Sequence, residues 1–315
     1  MIGFRYKRVH NLPMETVDRP DSSLRDAFDR LLRVHDDGGA EGYVPTARED
    51  IKLFWNREPV PRGPRIYDPG IVVIGRGYKL GYKGNRRFRY DADHCLLLSL
   101  PTTFESETHA TAEEPLIGLF VNVDRMMIRE LAEIMGLYQT GAGNIGGEAR
   151  TSFEPVPIVD RMRESALRLV NALAHPCETA AIGEGLKREL IYHALRSPGA
   201  EGLLALTMDG SINSKISGIL NLVHRDFETT FSVEELAQGA GMSVSSFHRS
   251  FREVTGDSPV QYIKKVRLHR ARDLITNGNI RPSEAASQVG YSSPSQFSRE
   301  FSRHFSMPPS AAKAI

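Results

Sequence analysis

Two short polar arrays near the C-terminal end of this 315-residue chain carry side chains suited to reading double-stranded DNA. The first is Ser245, His248, Arg249 and Arg252; the second is Ser295, Gln296, Ser298 and Arg299, with Arg303 one turn further on. At a helical repeat each array lies along one side of a helix. In the major groove arginine can donate two hydrogen bonds to guanine and glutamine can pair with adenine, while serine and histidine can reach phosphates or base edges. Lys264 and Lys265, in the run Lys264-Lys265-Val266-Arg267, suit contacts to the DNA backbone.

The elements that must hold these arrays announce themselves by repetition. Phe247-His248-Arg249-Ser250-Phe251 recurs as Phe297-Ser298-Arg299-Glu300-Phe301, and Ala237 to Gly241 matches Ala286 to Gly290. Each copy reads as a helix, a glycine-containing turn and a second helix, the helix-turn-helix pattern. Phe247, Phe251 and Val254 in one copy, and Phe297, Phe301 and Phe305 in the other, form the apolar faces opposite the polar arrays. Ser232-Val233-Glu234-Glu235 is a capping box, and Ser243 caps the next helix. Pro259 after Ser258 and Pro294 after Ser293 each place proline in the first helical position. Thr255-Gly256 and Asn277-Gly278 are stop signals. Between the copies, residues 258–277 predict a helix with the apolar stripe Val260, Ile263, Val266, Leu274 and Ile275. Its length, about 30 Å, approaches the roughly 34 Å between successive major-groove segments on one face of DNA.

These motifs identify a resemblance. Residues 211–310 resemble the AraC/XylS family of transcription regulators, whose signature is matched by Gly290-Tyr291-Ser292-Ser293-Pro294-Ser295-Gln296-Phe297-Ser298-Arg299-Glu300-Phe301 and then Phe305-Ser306-Met307-Pro308-Pro309. Ala312 stands where many members have tyrosine, so the last helix is expected to be short. By motif position the resemblance makes Ser245, His248, Arg249, Ser295, Gln296 and Arg299 base-facing. It implies double-stranded promoter DNA and RNA polymerase as partners, and activation as the usual mode.

Upstream, Ile71-Val72-Val73-Ile74, Tyr78 to Tyr82, Arg87 to Tyr90, Leu96 to Leu100 and Leu116 to Val121 read as short strands, separated by the turn signals Gly84-Asn85, Asp91-Ala92-Asp93 and Glu113-Glu114-Pro115. Helices are predicted from Ser22 to Val34, from Asp124 to Met135 and within 157–207; Gly141 to Gly147 reads as a loop. Residues 57–135 resemble the sensor domain of one AraC/XylS subgroup through Tyr67-Asp68-Pro69, the strand with Gly75, Phe88-Arg89-Tyr90-Asp91 and Glu113-Glu114-Pro115. That resemblance implies a cupin-like β-barrel that senses a signal, with helices that join two copies. The stripe Leu186, Leu190, Ile191 and Leu195 is the candidate surface for a homodimer.

From Arg62 to Tyr90 there are eight Lys and Arg residues against the single acid Asp68. Arg65, Arg76, Arg87 and Arg89, interleaved with Tyr67 and Tyr78, suit an anionic, flat effector by bidentate pairing and stacking. A nucleotide such as a cyclic dinucleotide is the sharpest expectation; solvent-facing positions of alternating strands are the plainer one.

The expected fold class is therefore α+β: an N-terminal extension with one helix (1–56), a cupin-like β-barrel with flanking helices (57–207), and an all-α double helix-turn-helix domain (211–315). Net charge is +1, but residues 213–315 hold 13 basic and 9 acidic residues against 27 and 30 in the remainder, which accords with a nucleic-acid partner. No tract is long and apolar enough for a membrane span, the start lacks a signal-peptide core, and two cysteines, Cys95 and Cys177, suit a reducing compartment, so a cytoplasmic location is expected. No cofactor is expected. A metal enzyme of cupin type with a DNA-binding tail is the rival. It would need a ligand cluster, but His94 and His109 are far apart and no His-x-His motif occurs. A DNA-repair alkyltransferase would need a reactive cysteine, and Cys95 lies in an apolar strand.

Overall fold

In the computed structural model, which describes residues 23–36, 38–137, 153–205, 207, 212–276 and 280–314, helix α1 (Leu24–His35) starts at Ser23, whose side chain and Asp26 close a capping box. Nine strands then follow in one antiparallel sheet: β1 (Glu41–Pro45), β2 (Ile51–Asn56), β3 (Val60–Tyr67), β4 (Gly70–Arg76), β5 (Tyr78–Lys83), β6 (Arg86–Asp91), β7 (His94–Leu98), β8 (Thr102–His109) and β9 (Leu116–Asn122). Helix α2 (Arg125–Ile134) comes next, and β10 (Phe153–Pro157) returns to pair with β7. The strand order is β1-β2-β9-β4-β7-β6-β5-β8-β3, which curls into a half-barrel.

The continuous apolar runs of the central strands are explained by burial on both faces. Ile71 and Val73 face outward to the helices, whereas Val72 and Ile74 join Phe88, Tyr90, Leu96, Leu98, Phe104 and Phe120 on the inner face. Outside, α1 lies on β4 so closely that any side chain at Gly75 would run into the Phe28 ring. Two of the strands, β1 and β2, lie within residues 1–56, where the sequence suggested only a helix; Ile51, Leu53 and Trp55 alternate into the outer core. The runs are short and polar on alternate positions, so composition alone hid them.

Helices α3 (Asp160–Leu173) and α4 (Pro176–Ala194) form an antiparallel pair over the sheet, followed by the short α5 (Ala200–Ala205). The stripe proposed as a dimer surface is used inside one chain: Leu190, Ile191 and Leu195 are at most 3% exposed and Leu186 packs against the same core. The reason is that α3 and α2 already offer apolar surface to α4. The predicted loop at Gly141 to Gly147 and the stop at Asn277-Gly278 lie outside the described residues.

The remainder is helical: α6 (Ile212–Arg225), α7 (Val233–Gly239), α8 (Val244–Thr255), α9 (Pro259–Thr276), α10 (Pro282–Gln288), α11 (Pro294–Phe305) and a closing 3-10 turn (Pro309–Ala314) that replaces a longer last helix. The core of the first helix-turn-helix unit is continuous with the outer core of the sheet domain, whereas the second unit has its own cluster around Phe297, Phe301 and Phe305.

Candidate nucleic-acid interface and effector site

Each reader is built by local chemistry. Helix α7 opens on the Ser232–Glu235 capping box, and α8 on Ser243, whose hydroxyl accepts from the Ser246 N–H. Helix α8 ends at Gly256, which has φ 83° and bonds back to the Arg252 carbonyl, a left-handed cap that glycine adopts without strain. In the second unit Ser293 caps α11 through the Gln296 N–H. Phe247 and Phe251, and Phe297 and Phe301, are at most 2% exposed. Their burial turns the opposite faces outward, so Ser245, His248, Arg249 and Arg252 on α8, and Ser295, Gln296, Ser298 and Arg299 on α11, are all exposed. Helix α9 has 18 residues, or about 27 Å, and separates the units.

The basic run of α9 has a different placement from the one expected. Lys265 Nζ donates to both carboxylate oxygens of Asp257 at 2.7 and 2.8 Å, and Asp257 also accepts from Thr103 Oγ1 of β8 at 3.2 Å. Lys265 therefore points to the half-barrel. Lys264 Nζ donates to Glu300 at 3.0 Å, and Arg267 donates to backbone carbonyls. Glu300 also accepts from the Gln296 amide at 3.2 Å and the Tyr291 hydroxyl at 2.8 Å, so Gln296 is held to its own helix by its nitrogen. The sequence missed Asp257 and Glu300 because their partners are set by how α9 lies, which no local pattern records. Of the linker stripe, Val266 and Ile275 are buried but Val260 is 47% exposed.

The six candidate effector residues do not share one surface. Arg76 is spent on Glu114 at 3.0 Å and Asp29 at 3.3 Å, tying the sheet to α1. Tyr78, Arg87 and Arg89 are on the outer side of the sheet: Arg89 lies 4.1 Å over the Tyr78 ring and pairs with Asp91 at 2.5 Å, Tyr78 stacks on His109, and Arg87 lies 6.0 Å from Tyr82. Strand alternation sends Arg65 and Tyr67 to the inner side instead. There Tyr67 stacks on Phe104 at 4.4 Å and its hydroxyl meets Tyr90 Oη at 3.0 Å and Ser106 Oγ at 3.2 Å.

Two cations absent from the sequence-derived set act on this region, Lys79 on the inner face and Arg272 of α9 through its charge on Arg65. Lys79 lies 5.4 Å over the Phe54 ring, and burial holds its ammonium below the usual lysine value. Arg272 of α9 lies 4.7 Å over the Phe305 ring, and burial, then the like charge of Arg65, pushes it down to about 10. None of Arg65, Lys79 and Arg272 has a carboxylate at ion-pair distance among the described residues. Burial raises the Tyr67 phenol, yet Lys79, Ser106, Tyr90 and Arg65 together bring it below its ordinary value, the signature of a positive local field. Lys79 was legible in principle, since its register opposite Tyr90 and Thr108 puts it on the face of the inner aromatics.

Cys95 is buried and its thiol is pushed up to about 12 by desolvation, the opposite of an activated nucleophile. Among the described residues no group of three or more His, Cys, Asp or Glu side chains is placed to hold a metal ion, and no helix is long and apolar enough to cross a membrane.

A half-barrel sheet followed by two helix-turn-helix units with exposed polar faces is the architecture of a DNA-binding regulator class. Residues 47–201 match the family profile described as the AraC-type transcriptional regulator N-terminus, and residues 236–314 match a helix-turn-helix domain profile. The chain belongs to the AraC/XylS family of transcription regulators. It is 31% identical over 140 residues to a putative AraC-like transcription regulator of Streptomyces lividans, covering 42% of this chain and 45% of that protein. It is 27% identical over 94 residues to the lactose operon transcription activator of Staphylococcus xylosus, covering 30% and 34%. The chain thus spans less than half the length of these curated relatives. The fold is similar to ToxT from Vibrio cholerae, with TM-score 0.56 and 17% identity over 84% of this chain and 98% of that one. A ToxT structure with an unsaturated fatty acid bound gives TM-score 0.58 and 15% identity, over 82% and 92%.

Proposed function

We propose that this regulator is an activator whose signal is an apolar carboxylate, held on the inner side of the half-barrel with its head group among Arg65, Lys79 and Arg272. The observation that carries the proposal is a set of three cations, Arg65, Lys79 and Arg272, with no carboxylate at ion-pair distance among the described residues and only the longer-range charges of Glu41 and Asp273 to offset Lys79 and Arg272, near Phe54, Tyr67 and Phe104. Partly buried cations of like sign are costly unless an anion joins them, and an aromatic-lined face favours a ligand whose remainder is apolar. The similarly folded ToxT has been crystallised with an unsaturated fatty acid, a molecule of this chemistry. A nucleotide would have to use the outer arginines, of which Arg89 is already paired with Asp91. Because Arg272 belongs to the DNA-binding domain and Arg65 to the sensor, a carboxylate between them would favour one arrangement of the two. Activation would follow from contact with RNA polymerase on promoter DNA, the family's usual mode.

The test is thermal denaturation and calorimetric titration of the full chain with a long-chain unsaturated fatty acid and, separately, a cyclic dinucleotide. The fatty acid should raise the melting temperature, and Lys79→Met should weaken its binding at least about tenfold, the equivalent of one lost charge-assisted contact. Binding of the dinucleotide alone, abolished by the Arg87→Ala, Arg89→Ala pair, would refute the inner site in favour of the outer one.

A further inference from the structure

The two helix-turn-helix units touch at a point that the linker helix alone does not account for. Arg267, midway along α9, spreads its guanidinium over backbone carbonyls of both. Its Nε donates to Phe227 O at 2.8 Å and its Nη2 to Thr229 O at 2.9 Å and Glu228 O at 3.5 Å; its Nη1 donates to Gly290 O at 3.4 Å. Residues 227–229 join α6 to α7 and so lead into the first unit, while Gly290 lies in the turn of the second. At this place the two backbones are in contact. Gly290 has φ 81°, and a Cβ there would fall 2.5 Å from Glu228 O. Phe227 packs against the cores of both units, and Arg270 lies 5.9 Å from its ring.

The arrangement closes a ring. Helix α9 is packed into both cores, through Tyr262 and Val266 in the first unit and Leu268, Ala271 and Ile275 in the second, but one shared helix still lets the two bodies rock toward or away from each other. A second contact removes that freedom, and Arg267 supplies it with a planar fork of donors that a lysine lacks. We propose that Arg267 is a positioning residue that locks the two readers at one separation and rotation, so that the protein requires one spacing between its two DNA half-sites. This rests on the reading that α8 and α11 both enter the major groove.

The probes are duplexes selected from a random library by the full wild-type chain, then remade with one half-site scrambled or with one base pair inserted between the half-sites. An insertion shifts the second half-site by about 3.4 Å and about 35° around the axis. Wild type should lose at least about tenfold in affinity on insertion, comparable to a mismatched base pair. Arg267→Met, which keeps the apolar stem and removes the donors, should bind the intact site more weakly, bind the single half-site as wild type does, and lose less than about threefold on insertion. Gly290→Ala, which forces the junction apart from the other side, should give the same pattern and supplies the test if Arg267→Met does not fold. Wild-type spacing dependence in both variants would overturn the proposal. So would an equal loss on the single half-site, which would make Arg267 a DNA contact. If scrambling one half-site leaves wild-type affinity unchanged, the two-reader reading itself fails.

Discussion

Asp257, the residue after the cap of the first recognition helix, accepts a hydrogen bond at 3.2 Å from Thr103 in strand β8. The end of helix α8 is therefore bonded to the half-barrel sheet. Lys83 of the neighbouring strand lies beside it; burial lowers its ammonium to about 8, with Asp257 working against the shift. Strands β8 and β5 of the half-barrel thus both abut the end of helix α8.

Thr103→Val tests that bond with little change in volume. The buried hydroxyl bond to a carboxylate should be worth about 1–3 kcal/mol. Hydrogen exchange in the full chain should speed up at β8 and at the end of α8. Unchanged exchange at both places would show that the bond does not hold the domains together.

The recognition faces make a sharper claim. Arg249→Ala and Arg299→Ala should each cost roughly 1–3 kcal/mol of specific binding and relax preference at one base pair. Lys265→Ala should leave the salt dependence of DNA binding unchanged, because Lys265 is engaged with Asp257. Electrophoretic shifts at several salt concentrations check both. Wild-type affinity and preference in both arginine variants would move the reading surface elsewhere, and a flattened salt slope for Lys265→Ala would return that residue to the DNA backbone.

Two histidines give stability a pH dependence. His304 Nε2 and His269 Nε2 are 3.1 Å apart. Burial, with Lys265 and Arg272 adding to it, lowers His304 to about 4 from 6.5, and burial holds His269 well below the ordinary value. Between the folded and unfolded values the unfolded chain binds more protons. Stability is therefore greatest above about 6.5 and falls as the pH drops toward 4. Urea unfolding across that range should show the decline, and His304→Asn should shallow it. An identical slope in the variant would remove His304 from the account.

The C-terminal architecture was legible in the sequence because its determinants are local. The phenylalanine spacing of 247 and 251, repeated at 297 and 301, sets which side of each helix is buried, and Ser243, Gly256 and Ser293 mark ends through bonds to residues at most four away. The outward polar faces follow without reference to the rest of the chain. Five strands of the sheet, β4, β5, β6, β7 and β9, were legible from their runs of β-forming residues between turn signals, whereas β1, β2, β3, β8 and β10 were not. What only the tertiary structure decided depends on long-range register. Strand alternation divides Arg65 from Arg89, and strand pairing sets Lys79 opposite Tyr90. The lie of α9 sends Lys265 to Asp257, Arg267 to Gly290 and Arg272 toward Arg65. The α4 stripe, equally apolar whether it meets a second copy or its own chain, is covered by its own chain. Charge and apolarity are written in the residue types, but which partner satisfies them is a property of distances between segments far apart in the chain.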